Sequence, residues 1–329
     1  MSERQPHEVV WALATAGVAS RCIHLVAELG VADHIGDQFV PVSELASSCD
    51  ADADGLDRVL RLLAAHGIFE HNAGAYGHTP SSRMLCGDHP MSMRAFVRMM
   101  GLPFIWGSLT ELEHSIRTGT PALTTIEPRG VWGYLQDRPG EADIFGQAMV
   151  AKAGADVAAA LAAYDFTRFS SIADIGGGRG HLLRAVLDAA PTADGILFDL
   201  PEVIGALEIE HQRLTKQAGD FFVDPLPAAD AYVLMEVIHD WADEEAVAIL
   251  SAIRRAAPAG ATLLIIEGVI AEKQPDPRAQ TLDVIMLTVT GGRERTASEL
   301  AALLGRAGFT IDAVTETAGP MSLVEATAM

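Results

Sequence analysis

The chain has 329 residues, about half of them apolar and a fifth charged, enough to bury a sizeable core in more than one domain. Its formal charge of −21 argues against nucleic acid, where Lys and Arg must neutralise phosphates, and against anionic membrane surfaces. Three cysteines, Cys22, Cys49 and Cys86, form neither a disulfide framework nor a paired zinc spacing, and are read as free thiols in a reducing compartment.

From the first residue, Met1–Glu8 shows no basic region followed by an apolar run, so no secretory signal is expected. No uninterrupted apolar stretch looks long enough to span a bilayer, and the chain is read as soluble and cytoplasmic. Up to about residue 160 the pattern is helical. One amphipathic helix covers 8–30, ending at Gly30, and a short piece follows at 31–35. Ser43 looks like the N-cap of a helix that begins Glu44-Leu45-Ala46. Residues 53–66 place Leu56, Val59, Leu60 and Leu63 on one helical face, with Gly67 as the stop. Ile68–His71 and Tyr76–Thr79 flank Asn72-Ala73-Gly74 as a β-hairpin. Helix, helix and hairpin in this order suggest a winged-helix arrangement for residues 1–90. Residues 43–85 set six carboxylates against Arg58, Arg61 and Arg83, which makes a DNA-binding regulator the weaker reading. Residues 91–163, with helices at 91–119 and 128–163, are rich in Met, Phe and Trp. Such a stripe is ordinary packing or the lining of an adaptable apolar pocket.

Strand–helix alternation begins near residue 164. Strands fit 171–175, 194–199, 214–218, 230–236 and 261–267, and helices fit 181–190, 201–209, 243–257, 277–289 and 297–307. Residues 309–316 and 321–327 flank Gly319-Pro320, too close for a crossover helix, and should pair antiparallel. The expected fold is α/β, a Rossmann-like doubly wound domain over 164–329. Its sheet is mostly parallel and seven-stranded, with a C-terminal antiparallel hairpin.

The chemistry gathers at strand ends. Asp174-Ile175-Gly176-Gly177-Gly178-Arg179-Gly180 runs from a strand into a helix, where glycines permit a sharp turn and a close ligand. Asp199, 23 residues after Gly176, ends the next strand at the distance usual for gripping ribose hydroxyls. The last glycine comes one residue earlier than a dinucleotide site requires, which favours an adenosyl amino acid over a pyrophosphate. Asp220 and Phe221 follow the third strand, placed for an adenine amino group and an adenine face. His239 lies just past the fourth strand, Glu267 at the matching place after the fifth, and Glu294 in the loop 291–296. One imidazole and two carboxylates could converge there to take a proton from a hydroxyl, although each carboxylate could equally serve as a surface or helix-capping group. The remaining histidines show no metal-ligand spacing, and no metal is expected.

On these residues the sequence resembles the caffeate/hydroxyindole-type O-methyltransferase family, including bacterial enzymes of natural-product pathways. The matching stretches are Asp174–Gly178, Phe198–Pro201, Gly219–Phe222, His239-Asp240-Trp241, Glu267 and Gly292–Thr296, with Glu28–Asp33, Arg58–Leu63 and Phe145–Met149 in the first half. The resemblance implies S-adenosylmethionine as methyl donor, S-adenosylhomocysteine as product, and a homodimer formed through the N-terminal domain. It implies His239 as base flanked by Glu267 and Glu294. Asp174, Gly176, Gly178, Asp199, Leu200, Asp220, Phe221 and Met235 would lie along the cofactor, and Phe145, Met149, Asp240 and Met286 near a small hydroxylated aromatic acceptor. Met235 stands where plant members carry lysine, so that side-chain contact is not carried over. Relatives of this fold that hydroxylate, decarboxylate or cyclise are the nearer rival reading.

Overall fold

The computed structural model describes residues 5–271 and 276–329, so part of the leader reading (residues 1–4) falls outside the described residues. The chain forms two compact units, Met1–Trp106 with Gly140–Lys152, and Gly107–Pro139 with Ala153–Met329.

The first unit opens with α1 (Pro6–Glu28), then β1 (Val40–Pro41), α2 (Val42–Ser48) and α3 (Ala53–Ala65). The hairpin strands β2 (Phe69–Asn72) and β3 (Ala75–His78) follow, then α4 (Pro80–Arg83) and α5 (Arg94–Met100). Asp52 caps α3 by accepting from the Gly55 amide at 2.8 Å, and Leu56, Leu60 and Leu63 bury its apolar face against Val26, Leu45, Phe69 and Tyr76. The hairpin turns where Ala73 and Gly74 take φ of 49° and 80°, the left-handed pair that a two-residue loop demands. Strand β1 adds to its other edge in the order β1-β3-β2, completing the winged-helix pattern. Ser43 is not the N-cap of α2; Pro41 holds that position, without a side-chain bond, and Ser43 sits inside the first turn.

The expected helix over 91–119 is broken into α5, α6 (Pro103–Thr110) and α7 (Leu112–Thr118). Pro103 has no amide to continue a preceding helix, and Gly119 closes α7 at φ 72°. The helix over 128–163 likewise divides into α8 (Gly130–Gln136) and α9 (Pro139–Ala163), the latter starting on Pro139. By length and composition α1 and α9 are apolar enough to cross a bilayer, although Arg21 interrupts the first and Asp143, Lys152 and Asp156 the second. Along α1, Val10, Trp11, Leu13 and Val18 are 60–75% exposed within the protomer.

The second unit carries β4 (Ser171–Ile175), α10 (His181–Ala189), β5 (Asp194–Asp199), α11 (Pro201–Gly205), β6 (Leu214–Ala218) and β7 (Ala231–Met235). It continues with α12 (Asp243–Ala256), β8 (Thr262–Glu267), α13 (Pro277–Val289), α14 (Ala297–Ala307), β9 (Phe309–Glu316) and β10 (Ser322–Ala328). The seven strands lie in the order β6-β5-β4-β7-β8-β10-β9. Strands β6 to β8 are parallel, and β10 pairs antiparallel with both β8 and β9. The central strands are apolar at nearly every position because both faces are covered. Tyr232, Leu234, Leu263 and Ile265 pack on one side, and Val233, Leu264 and Ile266 on the other. The parallel order reverses beside β4, with β5 on one flank and β7 on the other, so their carboxyl ends open on a crevice that favours a ligand.

Candidate active site

The glycine loop leaves β4 and enters α10 through Gly176, Gly178 and Gly180 at φ 70°, 56° and 70°. Gly177 is needed for a different reason: a Cβ there would stand 2.4 Å from Leu197 and 2.6 Å from the Asp174 carboxyl. The neighbouring strand end is tied to this loop, since the two Asp199 oxygens accept from the amides of Gly178 and Leu200, each at 2.7 Å. Leu200 then caps α11. Burial pushes the Asp199 carboxyl up against those two bonds. Asp174 lies behind the loop, 1% exposed, and neither carboxylate oxygen has a partner among the described residues. Burial first, and the Asp199 charge second, raise it to about 7.

Beyond β6, Asp220 accepts from the Phe222 amide at 2.9 Å and donates its own amide to Asp224 at 2.8 Å, fixing a tight turn. Phe221 rests edge-on to Phe222 and Trp241, with ring centroids 4.9 and 5.7 Å away, and borders the loop at Gly176. Met235 ends β7 beside β4.

After Met235, Glu236 takes φ 53°, a left-handed conformation unusual for a residue with a Cβ. The chain then enters a 3-10 turn over Ile238–Asp240. His239 is 5% exposed, its Nδ1 2.7 Å from Glu294 Oε1 and its Nε2 3.8 Å from Asp240. With Nδ1–H donated to Glu294, the neutral form of the ring carries its lone pair on Nε2. Burial opposes a charged ring, but the Glu294 bond and the charges of Asp240, Glu267 and Glu294 outweigh it and raise the imidazole pKa.

Glu267 reaches the backbone of this turn rather than the ring. Its Oε1 accepts from the amides of Val237, Ile238 and His239 at 3.1, 2.5 and 3.1 Å. Burial, then the Glu294 charge, lift its carboxyl to about 7 against the pull of His239 and those amides.

Two residues of the loop 291–296 seat it on the same turn. Gly292 lies so close that a Cβ would fall 1.9 Å from the His239 carbonyl oxygen. Arg295, to which the sequence reading gives no role, is 2% exposed. It donates to the carbonyls of Ile238 and Trp241 at 3.0 and 2.7 Å, and to the Asp243 carboxylate at 2.9 Å. A run of glycine and charged residues gives no period from which this contact could be read; its return to the rim was the only signal.

Of the residues expected near an acceptor, Asp240 lies in the turn. Met286 is buried on α13, whose Asp283 accepts the Glu294 amide at 2.9 Å. Phe145 and Met149 belong to the part of α9 in the first unit, with Phe145 tilted 6.5 Å from Phe104. The first unit also gathers Asp33, Cys86 and Asp88 within 4.8 Å; the Asp33 oxygens are engaged by the Gly87 amide and Arg94.

Residues 109–310 match the model of an O-methyltransferase domain, and residues 11–88 that of an O-methyltransferase dimerisation domain. The chain is 36% identical to the phenazine O-methyltransferase PhzM of Lysobacter antibioticus, over 93% of this chain and 92% of that protein. The solved structure of LaPhzM superposes with a TM-score of 0.93 at 34% identity, covering 99% and 100% of the two chains. The O-methyltransferase NcsB1 from neocarzinostatin biosynthesis was solved with S-adenosylmethionine and 2-hydroxy-5-methyl naphthoic acid. It gives a TM-score of 0.82 at 35% identity, over 94% of this chain and 96% of that one.

Proposed function

The chain belongs to the O-methyltransferase family, and from that premise we propose that it methylates a phenolic hydroxyl of a small aromatic metabolite. S-adenosylmethionine is the donor in this reading and His239 is the general base. The observation that carries it is a buried imidazole whose Nδ1 is held 2.7 Å from Glu294, so that the neutral ring would take a proton at Nε2.

The residues present suit this donor. At Gly177 and Gly180 a side chain would strike Leu197, so the loop keeps a bare backbone, suited to the amino-acid end of such a donor. Each Asp199 oxygen holds a single amide and retains a lone pair, suited to a pair of vicinal hydroxyls. Gly176 and Gly178 shape the loop, Asp174 and Leu200 back it, and Met235 ends the adjoining strand. Asp220 and Phe221 offer an acceptor and a ring face on the same rim. When bound, S-adenosylmethionine supplies an electrophilic methyl group.

The protein's part is alignment and proton removal. Nε2 of His239 takes the acceptor's hydroxyl proton, and Glu294 stabilises the imidazolium that forms. Glu267 holds the turn that carries the ring. Within the second unit, Asp240 and Met286 are the proposed acceptor contacts. NcsB1, whose structure holds a hydroxynaphthoic acid, supports an aromatic acceptor. The dimerisation-domain match and the exposed apolar face of α1 support a homodimer. Three unpaired cysteines suit a reducing cytoplasm.

Mass spectrometry with labelled S-adenosylmethionine and a panel of phenols and naphthols should yield a product heavier by one labelled methyl. His239→Ala should lower turnover by about 10²-fold or more while calorimetric cofactor binding is retained. Near-normal turnover by the variant would remove His239 as base. Because a raised imidazole pKa must be exceeded before Nε2 is free, kcat should climb with pH on the alkaline side of an ordinary histidine.

A further inference from the structure

The turn that carries His239 has a polar backbone on both sides and almost no exposure, so its donors and acceptors must be satisfied by neighbouring groups. Its amides converge on one oxygen of Glu267. Its carbonyls converge on one side chain, because the Arg295 fork donates Nη1 to Ile238 and Nη2 to Trp241, the residues on either side of His239-Asp240. The carbonyl of His239 itself takes the Arg293 amide at 2.8 Å. Arg295 is fixed in turn. Its Nε and Nη2 bind Asp243 at the start of α12, its own carbonyl accepts the Ile270 amide, and it bridges to Val269 next to β8.

We infer that Arg295 is a positioning residue for His239, holding the carbonyl side of the turn as Glu267 holds the amide side, so that the imidazole meets Glu294 on one nitrogen and the acceptor on the other. This rests on the reading of His239 as base. A planar five-donor fork fits the task because it spans two carbonyls and a carboxylate at once; a lysine ammonium, one point on a flexible stem, reproduces the charge but not the span. The guanidinium also lies almost wholly out of water, where removal of one partner leaves the others unpaired. Displacing a reacting group by about 1 Å can cost around 10²-fold in rate without weakening ground-state binding.

The test uses the full-length enzyme as Arg295→Lys, Arg295→Gln and Asp243→Ala, the last removing the anchor while leaving the buried cation. Steady-state kinetics should show kcat down by about 10²-fold in Arg295→Gln, less in the other two, with KM for S-adenosylmethionine changed by less than about threefold. A second readout needs no turnover: the titration of His239 followed by NMR on ¹³C-histidine-labelled protein, assigned with His239→Gln. The groups facing this ring are Glu294 on Nδ1, Asp240 on Nε2 and Glu267 beneath the turn. A ring that drifts from Glu294 loses the partner that raises its pKa, so the titration should move to lower pH in order of kcat loss. An unmoved His239 titration, or a kcat loss that only tracks the folded fraction, would overturn the positioning role. If the titration moves and kcat does not, Arg295 positions the ring and the reading of His239 as base fails instead.

Discussion

At the scale of single residues, the buried carboxyl of Asp174 ties the cofactor loop to pH. Its folded pKa of about 7 lies above the unfolded value of about 3.9, so the folded state binds the extra proton between those limits. Stability from this group therefore falls as pH rises through that window and is flat above it. Asp174→Asn keeps the shape and removes the slope. Calorimetry on the cofactor-free protein should show the variant gaining on wild type between pH 5 and pH 8, by about 2–4 °C or more in Tm. Glu267 contributes a slope of the same sign, but it is common to both proteins and drops out of the difference. A difference that stays constant across that range would mean Asp174 is not charged at a cost in the folded state.

At the scale of elements, the parallel sheet was legible almost to the residue. Strands buried on both faces must be continuous apolar runs, and β4 and β5 have the bounds their patterning implies, as do the more polar edge strand β6 and the helices α13 and α14. The helical half was less legible because apolar content stays high across its breaks: breaks before Pro103, at Glu111 and before Pro139 cut two long stretches into five helices. At the site, the glycine loop, Asp199 and the rim position of His239 could be read from sequence because each follows a strand end. What Glu267 and Arg295 bind could not, since a carboxylate and a guanidinium facing backbone groups leave no side-chain pattern. Gly292 shows the same limit from the other direction, because close approach of one loop to another is visible only in space. With a Cβ 1.9 Å from the His239 carbonyl oxygen, Gly292→Ala cannot be seated without moving the turn. Turnover by Gly292→Ala should drop at least as far as in Arg295→Gln. Wild-type turnover would show that the loop and the turn move apart freely.

At the scale of the whole molecule, charge and apolar surface pull in opposite directions. A protomer of net charge −21 repels a second copy, and at low salt that repulsion acts over about 10–30 Å. Against it stands α1, which presents the apolar side chains of Val10, Trp11, Leu13 and Val18 to solvent, a pattern that marks interaction surfaces when such residues cluster. If a second copy covers this face, association is driven by apolar burial and resisted by charge, so added salt should tighten it; an interface held by ion pairs would loosen instead. Light scattering after size exclusion should give twice the 34.8 kDa protomer mass for wild type, with dissociation on dilution suppressed between 50 and 500 mM NaCl (roughly a threefold drop in screening length). Trp11→Glu with Leu13→Glu should run at the protomer mass and leave the second unit's glycine loop and His239 turn folded, visible as unchanged calorimetric binding of S-adenosylmethionine. A wild-type protein that is monomeric at all salt concentrations, or a dimer indifferent to the double variant, would mean this face is covered by something other than a second copy.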